Sequence, residues 1–330
     1  MSQLRRDILT GEWVIFASNR RRKPYQFAVK STPKKETDIK DCPFCPGNED
    51  KTPDPIYQNG ADRKWNLRVF RNLYPAVDTD SFEKCNEDFY YSEEGIGIHE
   101  VLVDTPDHNG DPSQFTAEHM YNILKVLSHR FMAIEDEEFV KYVQIFKNNG
   151  PEAGASIDHS HWQIMGVSVI PLEQEKTMRN IKEYRSEKGS CVVCDMINYE
   201  IKNKTRIVDE NDSFVAFVPY AAKLSFELWV VSKKHVSSFS KMTDNDLKDL
   251  GIMLKQLLKR VTELRDGISY NLCFEDSPKG RADEDFHWYM RILPRIGAPA
   301  GFEFATGSYI NPMLPEIAAE KYRTNEDWSK

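Results

Sequence analysis

No stretch of this 330-residue chain approaches the roughly 18 consecutive apolar residues that a membrane-spanning helix needs, so no membrane partner is expected. Cysteine is scarce: six in 330 residues cannot staple a disulfide scaffold. Positive charge is not in excess either. Lysine and arginine number 44 against 52 for aspartate and glutamate, a formal net charge of −8 that argues against a general nucleic-acid binder. The first residues, MSQLRRDILTGEWVIF, lack the apolar core and small-residue cleavage site of a secretory signal, so a cytoplasmic protein is expected. What is present is 40% hydrophobic and 29% charged, the make-up of a globular chain long enough for two ordinary domains.

Four of the six cysteines fall into two pairs of identical spacing, Cys42-Pro43-Phe44-Cys45 and Cys191-Val192-Val193-Cys194. Two intervening residues let both sulfurs of a turn point at one tetrahedral ion, the thiolate half of a zinc site. A redox dithiol is the competing reading for either pair taken alone. Cys85 and Cys273 carry no partner pattern and read as free or buried thiols.

The chain also repeats itself. HEVLVDTPDHNGDPSQFT around Glu100 matches FELWVVSKKHVSSFSKMT around Glu227, pairing Glu100 with Glu227, His108 with His235 and Thr116 with Thr243 at an offset of 127. A second block, YVQIFKNNG against YNLCFEDSP, pairs Phe146 with Phe274 at 128, the offset that also relates His159 to His287. Each copy reads as an apolar strand ending before a histidine, then a threonine cap and an amphipathic helix. The helix of the first copy would bury Met120, Ile123, Leu124, Leu127 and Phe131; that of the second, Leu247, Leu250, Leu254, Leu257, Leu258 and Val261. Residues 78–98 read as an insertion in the first copy. The fold class is therefore α+β, a duplicated unit of mainly antiparallel sheet with one long helix, divided as 1–175 and 176–330.

The repeat assigns ligands: Cys42, Cys45, His108 and His159 in one copy, Cys191, Cys194, His235 and His287 in the other. Each set fills four positions and leaves none for activated water, so both zincs read as structural. Iron is accepted by the same donors and could replace zinc in one site. His99, His119 and His129 stand outside this scheme and read as surface or satisfied core residues.

Where the copies differ is informative. His159-Ser160-His161-Trp162-Gln163 in the first stands against His287-Trp288-Tyr289-Met290-Arg291 in the second, so His161 has no counterpart. A neutral imidazole beside a fixed metal site is a nucleophile suited to phosphorus near pH 7. The Gly154-Ala155-Ser156 stretch would let a phosphate approach backbone N–H groups, and Ser156 and Gln163 would add neutral donors. The competing reading is that both histidines bind metal and the small residues turn the chain.

At this point the segment Asn148 to Gln163 resembles the active-site signature of the galactose-1-phosphate uridylyltransferases, a branch of the histidine-triad superfamily. The resemblance extends through Ser18-Asn19-Arg20-Arg21-Arg22-Lys23-Pro24, the CPFC pair, Asn72-Leu73-Tyr74-Pro75-Ala76, Asp107-His108 and the tail from Gly301. It implies two tandem histidine-triad-like domains, the first holding the nucleophile and one zinc, the second the other zinc. It implies double displacement: His161 attacks the α-phosphorus of a nucleotide sugar, hexose 1-phosphate leaves, and a second hexose 1-phosphate or free phosphate takes the nucleotide. Gln163 would bond the transferred phosphoryl group and Ser156 the sugar phosphate. Asn148 and Arg20 would contact phosphate, Asn72 and Tyr74 would line the nucleoside pocket, and Gly307, Tyr309 and Asn311 would meet the hexose. A homodimer is implied as well.

The motif departs from the family pattern twice. Ser160 stands where most members have proline, similar to the branch with ADP-glucose phosphorylase, and Trp162 stands where a small residue is usual, with the expected effect of reshaping the pocket. The leading expectation is a UDP-glucose–hexose-1-phosphate uridylyltransferase. An ADP-glucose or dinucleoside polyphosphate phosphorylase is the enzymatic alternative, and a non-catalytic zinc-stabilised nucleotide-binding protein the alternative from another class.

Overall fold

The structure, a computed structural model, describes residues 2–17, 39–60, 64–79, 89, 94–281 and 286–324. Arg20, with the basic segment around it, and Cys85 lie outside the described residues. In chain order the elements are β1 (Ser2–Arg6), β2 (Trp13–Ala17), β3 (Pro55–Asn59), β4 (Leu67–Arg71), β5 (Gly97–Val103), α1 (Ala117–Glu135), β6 (Tyr142–Asn149) and β7 (His161–Val167). They continue with α2 (Leu172–Lys188), α3 (Val192–Asn203), β8 (Ile207–Glu210), β9 (Phe214–Phe217), β10 (Leu228–Ser232), α4 (Asp244–Leu264), β11 (Tyr270–Glu275), β12 (Tyr289–Pro294), α5 (Gly301–Thr306), β13 (Tyr309–Asn311) and α6 (Pro315–Thr324). β5 takes in Gly97 and Ile98, so the expected insertion stops short of residue 98.

Both long helices start where the capping signals place them. The Thr116 side chain accepts from the His119 N–H, and Thr243 exchanges hydrogen bonds with Asp246 in a full capping box. All the apolar positions expected to face inward on α1 and α4 are buried. The two helices lie against each other over one face of the sheet. Gly251 permits this, since a Cβ there would stand 3.0 Å from the Tyr121 backbone nitrogen.

The halves are not separate bodies. One ten-stranded sheet runs β3-β4-β5-β7-β6-β11-β12-β10-β9-β8, antiparallel throughout, with the halves joined where β6 pairs β11. One core beneath it draws on both helices and both sets of strands. The expected division at 175/176 falls inside α2 and separates the repeats without separating their packing. A smaller sheet, β1-β2-β13, adds the N-terminal hairpin and the tail.

Strand register corrects the repeat. Val103 lies opposite His161 as Val231 lies opposite Tyr289, an offset of 128, so Glu227 corresponds to His99 and not to Glu100. β6 and β11 correspond at 127, which matches Phe274 with Lys147 and not with Phe146. A slip of one residue in a strand exchanges its faces, so matching letters misled where the pleat decides. Glu100 in fact points to the helix side, where it holds Arg130 at 2.7 Å.

Candidate active site and two metal centres

The two CxxC turns meet their histidines as expected. Cys42, Cys45, His108 and His159 bring four ligand atoms within 4.8 Å of one another, and Cys191, Cys194, His235 and His287 do the same. Zinc–sulfur and zinc–nitrogen bonds of ~2.3 and ~2.05 Å in a tetrahedron put sulfur and nitrogen about 3.6 Å apart. The observed Sγ···Nδ1 separations are 3.2, 3.5 and 3.6 Å in the first cluster and 3.4, 3.5 and 3.9 Å in the second. The donor sets therefore fit a tetrahedral ion. His159 Nε2–H donates to the Thr105 carbonyl at 2.7 Å and His287 Nε2–H to that of Ser232 at 2.7 Å, which leaves Nδ1 as the ligand in both.

By itself each pair retains a thiol proton that a metal ion would displace. Burial, and then the adjacent Cys42, push the Cys45 thiol up to about 12. In the second pair the hydrogen bond between the two sulfurs lowers Cys191 to about 3 and raises Cys194. Two thiolates side by side need a cation between them. His287→Ala should lower metal content by about one equivalent per chain and reduce stability. Unchanged stoichiometry in atomic absorption would show that the second centre is misassigned.

His161 opens β7 on the sheet face turned away from the long helices. Its Nδ1–H donates to the His159 carbonyl at 2.8 Å, so the lone pair resides on Nε2. Burial, and then the Lys147 ammonium, hold the imidazole at about 4, which leaves it neutral near pH 7. The Phe44 ring, between the ligand cysteines, packs edgewise at 5.2 Å from its centroid. The turn that carries both candidate ligand cysteines thus also braces His161.

Gln163 lies two residues on, along the same face. His99, which reads from the sequence as a bystander, is its partner: His99 Nε2 stands 2.8 Å from Gln163 Oε1. Asn72 lies beside His99 and accepts from the Tyr74 N–H through Oδ1, while Tyr74 itself is exposed. Asn148 bonds Asn271 of the second half at 2.8 Å. The structure therefore groups His161, Gln163, Asn148 and Asn72 around one face, with His99 and Asn271 as members that motif reading missed.

Other expectations change. In the loop before His159, the N–H groups of Ala153, Gly154 and Ala155 bond to the Gly150 and Pro151 carbonyls. They do not face a phosphate, and the loop offers the exposed Ser156 side chain instead. Gly154 is needed for its φ of +84°, a left-handed conformation costly to other residues. Trp162 does not reshape the pocket: strand alternation sends it through the sheet into the core, edge-on to Phe274 with ring centroids 6.0 Å apart. Ser160 accepts from Lys147 Nζ, a bond that proline could not make. Of the remaining histidines, His119 bonds the Asp104 carbonyl and His129 is exposed.

The tail is occupied elsewhere. Gly307 caps α5 with a φ of +68°, and Tyr309–Asn311 pairs with β2 in parallel. The Asn311 side chain is spent on Ala222, Ser225 and Met313.

In the second half the corresponding face is closed. Tyr289 replaces His161 and stacks on Trp229 at 4.6 Å, while Arg291 replaces Gln163 and pairs with Glu227 and Glu275. α2 and α3 cover this cluster with Met178, Ile181, Val193 and Ile197. A cavity of about 240 Å³ lined by Tyr289, Arg291, Gln144 and Glu275 is what persists beside it.

Residues 1–171 match the family described as galactose-1-phosphate uridyl transferase, N-terminal domain, and residues 176–295 match its C-terminal domain. The chain belongs to this family. It is 33% identical to the ADP-glucose phosphorylase of Arabidopsis thaliana over 97% of its length and 92% of that protein's. It is 28% identical to the galactose-1-phosphate uridylyltransferase of Thermotoga maritima, with 99% of each chain covered. The crystal structure of the A. thaliana enzyme with bound ADP-glucose superposes with a TM-score of 0.85, covering 98% of this chain and 99% of that one.

Proposed function

We propose that the chain is a nucleotidyltransferase acting on nucleotide sugars through a nucleotidyl-histidine at His161, most simply a UDP-glucose–hexose-1-phosphate uridylyltransferase. The observation that carries this reading is the state of His161: a neutral imidazole with Nδ1–H pinned to a backbone carbonyl and Nε2 unprotonated. Nε2 attacks the α-phosphorus, the bond to the bridging oxygen breaks, and hexose 1-phosphate departs as an anion that needs no proton. The Nδ1–H···O=C bond offsets the positive charge that the ring then bears. Attack on the N–P bond by a phosphate oxygen of the acceptor releases the product and restores the imidazole.

Gln163 and Asn148 would donate to the phosphoryl oxygens, Ser156 would hold the sugar phosphate, and Asn72 and Tyr74 would border the nucleoside. Arg20, from the resemblance, would add charge on phosphate. Both metal centres act as structure in this reading: zinc, with iron an acceptable occupant of one, fixes the CxxC turn and the strand that presents His161. The family resemblance also supports a homodimer in the cytoplasm.

The A. thaliana relative and its complex favour a second reading, an ADP-glucose phosphorylase with phosphate as acceptor. Ser160 supports it too. Product analysis decides between them. UDP-glucose with galactose 1-phosphate would yield UDP-galactose in the first case, and ADP-glucose with phosphate would yield ADP in the second.

The histidine also sets a pH expectation. A lowered pKa extends the unprotonated, reactive form to lower pH, so the rate of adduct formation should stay flat from pH 7 to 5.5. An imidazole with the ordinary value of 6.5 would be only about one-tenth neutral at pH 5.5. A tenfold fall over that range in single-turnover measurements would contradict the assignment.

A further inference from the structure

Two side-chain amides flank His161, and the network fixes which way round each one sits. A backbone N–H can only donate. Ala76 N–H donates to His99 Nδ1 at 3.2 Å, so neutral His99 carries its proton on Nε2. That proton goes to Gln163 Oε1 at 2.8 Å, which leaves Asn72 Nδ2, at 3.2 Å, as a neighbour and not a partner. Gln163 therefore has its oxygen captured and its NH2 group left over.

The same logic runs from a backbone carbonyl, which can only accept. Asn271 lies 2.8 Å from the Ala153 carbonyl, so the atom facing it is Nδ2. That nitrogen's second proton is directed at Asn148, 2.8 Å away, and the Asn148 atom receiving it must be Oδ1. Asn148 too has its oxygen captured and its NH2 group left over.

We propose that His99 and Asn271 are positioning residues that lock Gln163 and Asn148 as hydrogen-bond donors, so that an entering phosphoryl group meets N–H groups and no amide oxygen. Phosphoryl oxygens accept and never donate, so an amide turned the other way would set lone pair against anion at the reacting centre. Asn271 comes from β11, directly opposite Asn148 on β6. The second half, which has Tyr289 in place of His161, supplies part of the first half's site through the seam where β6 pairs β11. The inference rests on the functional reading above.

The test is a pair of double-mutant cycles on single-turnover adduct formation with UDP-glucose and ADP-glucose. His99→Ala and Asn271→Asp should each slow the step about 10- to 100-fold, with metal content unchanged. In a Gln163→Ala background, His99→Ala should cost less than about threefold more, and Asn271→Asp likewise in an Asn148→Ala background. His99→Gln, which retains an N–H donor, should recover most of what His99→Ala loses. Full, additive losses in both cycles, or no recovery with glutamine, would overturn the proposal. If the wild type forms no adduct, the functional reading fails separately. Calorimetric binding of UMP and AMP to the same variants then decides the positioning, coupled losses supporting it and additive losses overturning it. Should His99→Ala lose metal, the Asn271 cycle and His99→Gln carry the test.

Discussion

His161→Ala should abolish turnover: the variant folds, keeps both metals and loses at least about 10³-fold in nucleotidyl transfer. The size follows from what is removed. The other side chains of the site donate hydrogen bonds, and with no nucleophile the path falls back on direct attack by the acceptor. The imidazole makes one hydrogen bond, to the carbonyl of His159 just before its strand, and is not a ligand in either cluster, so the fold has little need of it. Initial-rate assays alongside metal analysis and circular dichroism separate the outcomes. Turnover within tenfold of wild type would remove His161 from the mechanism.

The second large effect lies beneath the site. Lys147 is fully buried and its ammonium has three acceptors: Asp104 Oδ2 at 2.8 Å, Ser160 Oγ at 2.7 Å and the His161 carbonyl at 3.0 Å. It ties Ser160, and the backbone of His161, to Asp104 at the end of β5. Burial pulls the lysine below its ordinary value while Asp104 opposes that shift. Asp104→Ala should cost about 3–5 kcal/mol, because it strands a charge that cannot reach water. Asp104→Leu combined with Lys147→Met should cost clearly less, although Ser160 loses its donor. Denaturant melts of the single and double variants provide the check. A single-variant loss below about 1 kcal/mol would show that the pair is not holding the strand.

How far the sequence can be read depends on whether the signal is local or periodic. The CxxC turns, the histidines that complete them and the threonine caps of α1 and α4 are short-range patterns with few physical alternatives, and the structure places them as the sequence implies. The difference between His161 and Tyr289 is visible because the repeat supplies an internal control. Lys147, His99 and Asn271 are not visible as site residues, because each is a single side chain brought in by strand pairing across 13 or more positions. The seam between β6 and β11 depends on register, which letter matching misjudges by one residue in both blocks. Trp162 is the instructive miss. Two-residue alternation from His161 already places it on the opposite face, and the position of the motif outweighed the pleat.

The central claim is that His161 carries a nucleotide during turnover. Intact-protein mass spectrometry after brief mixing with UDP-glucose and, in parallel, ADP-glucose reads this directly. The expected result is a gain of one nucleoside monophosphate on the wild type, UMP from the first donor or AMP from the second, and none on His161→Ala. An unmodified wild type with both donors, or an adduct that persists on the variant, would contradict it.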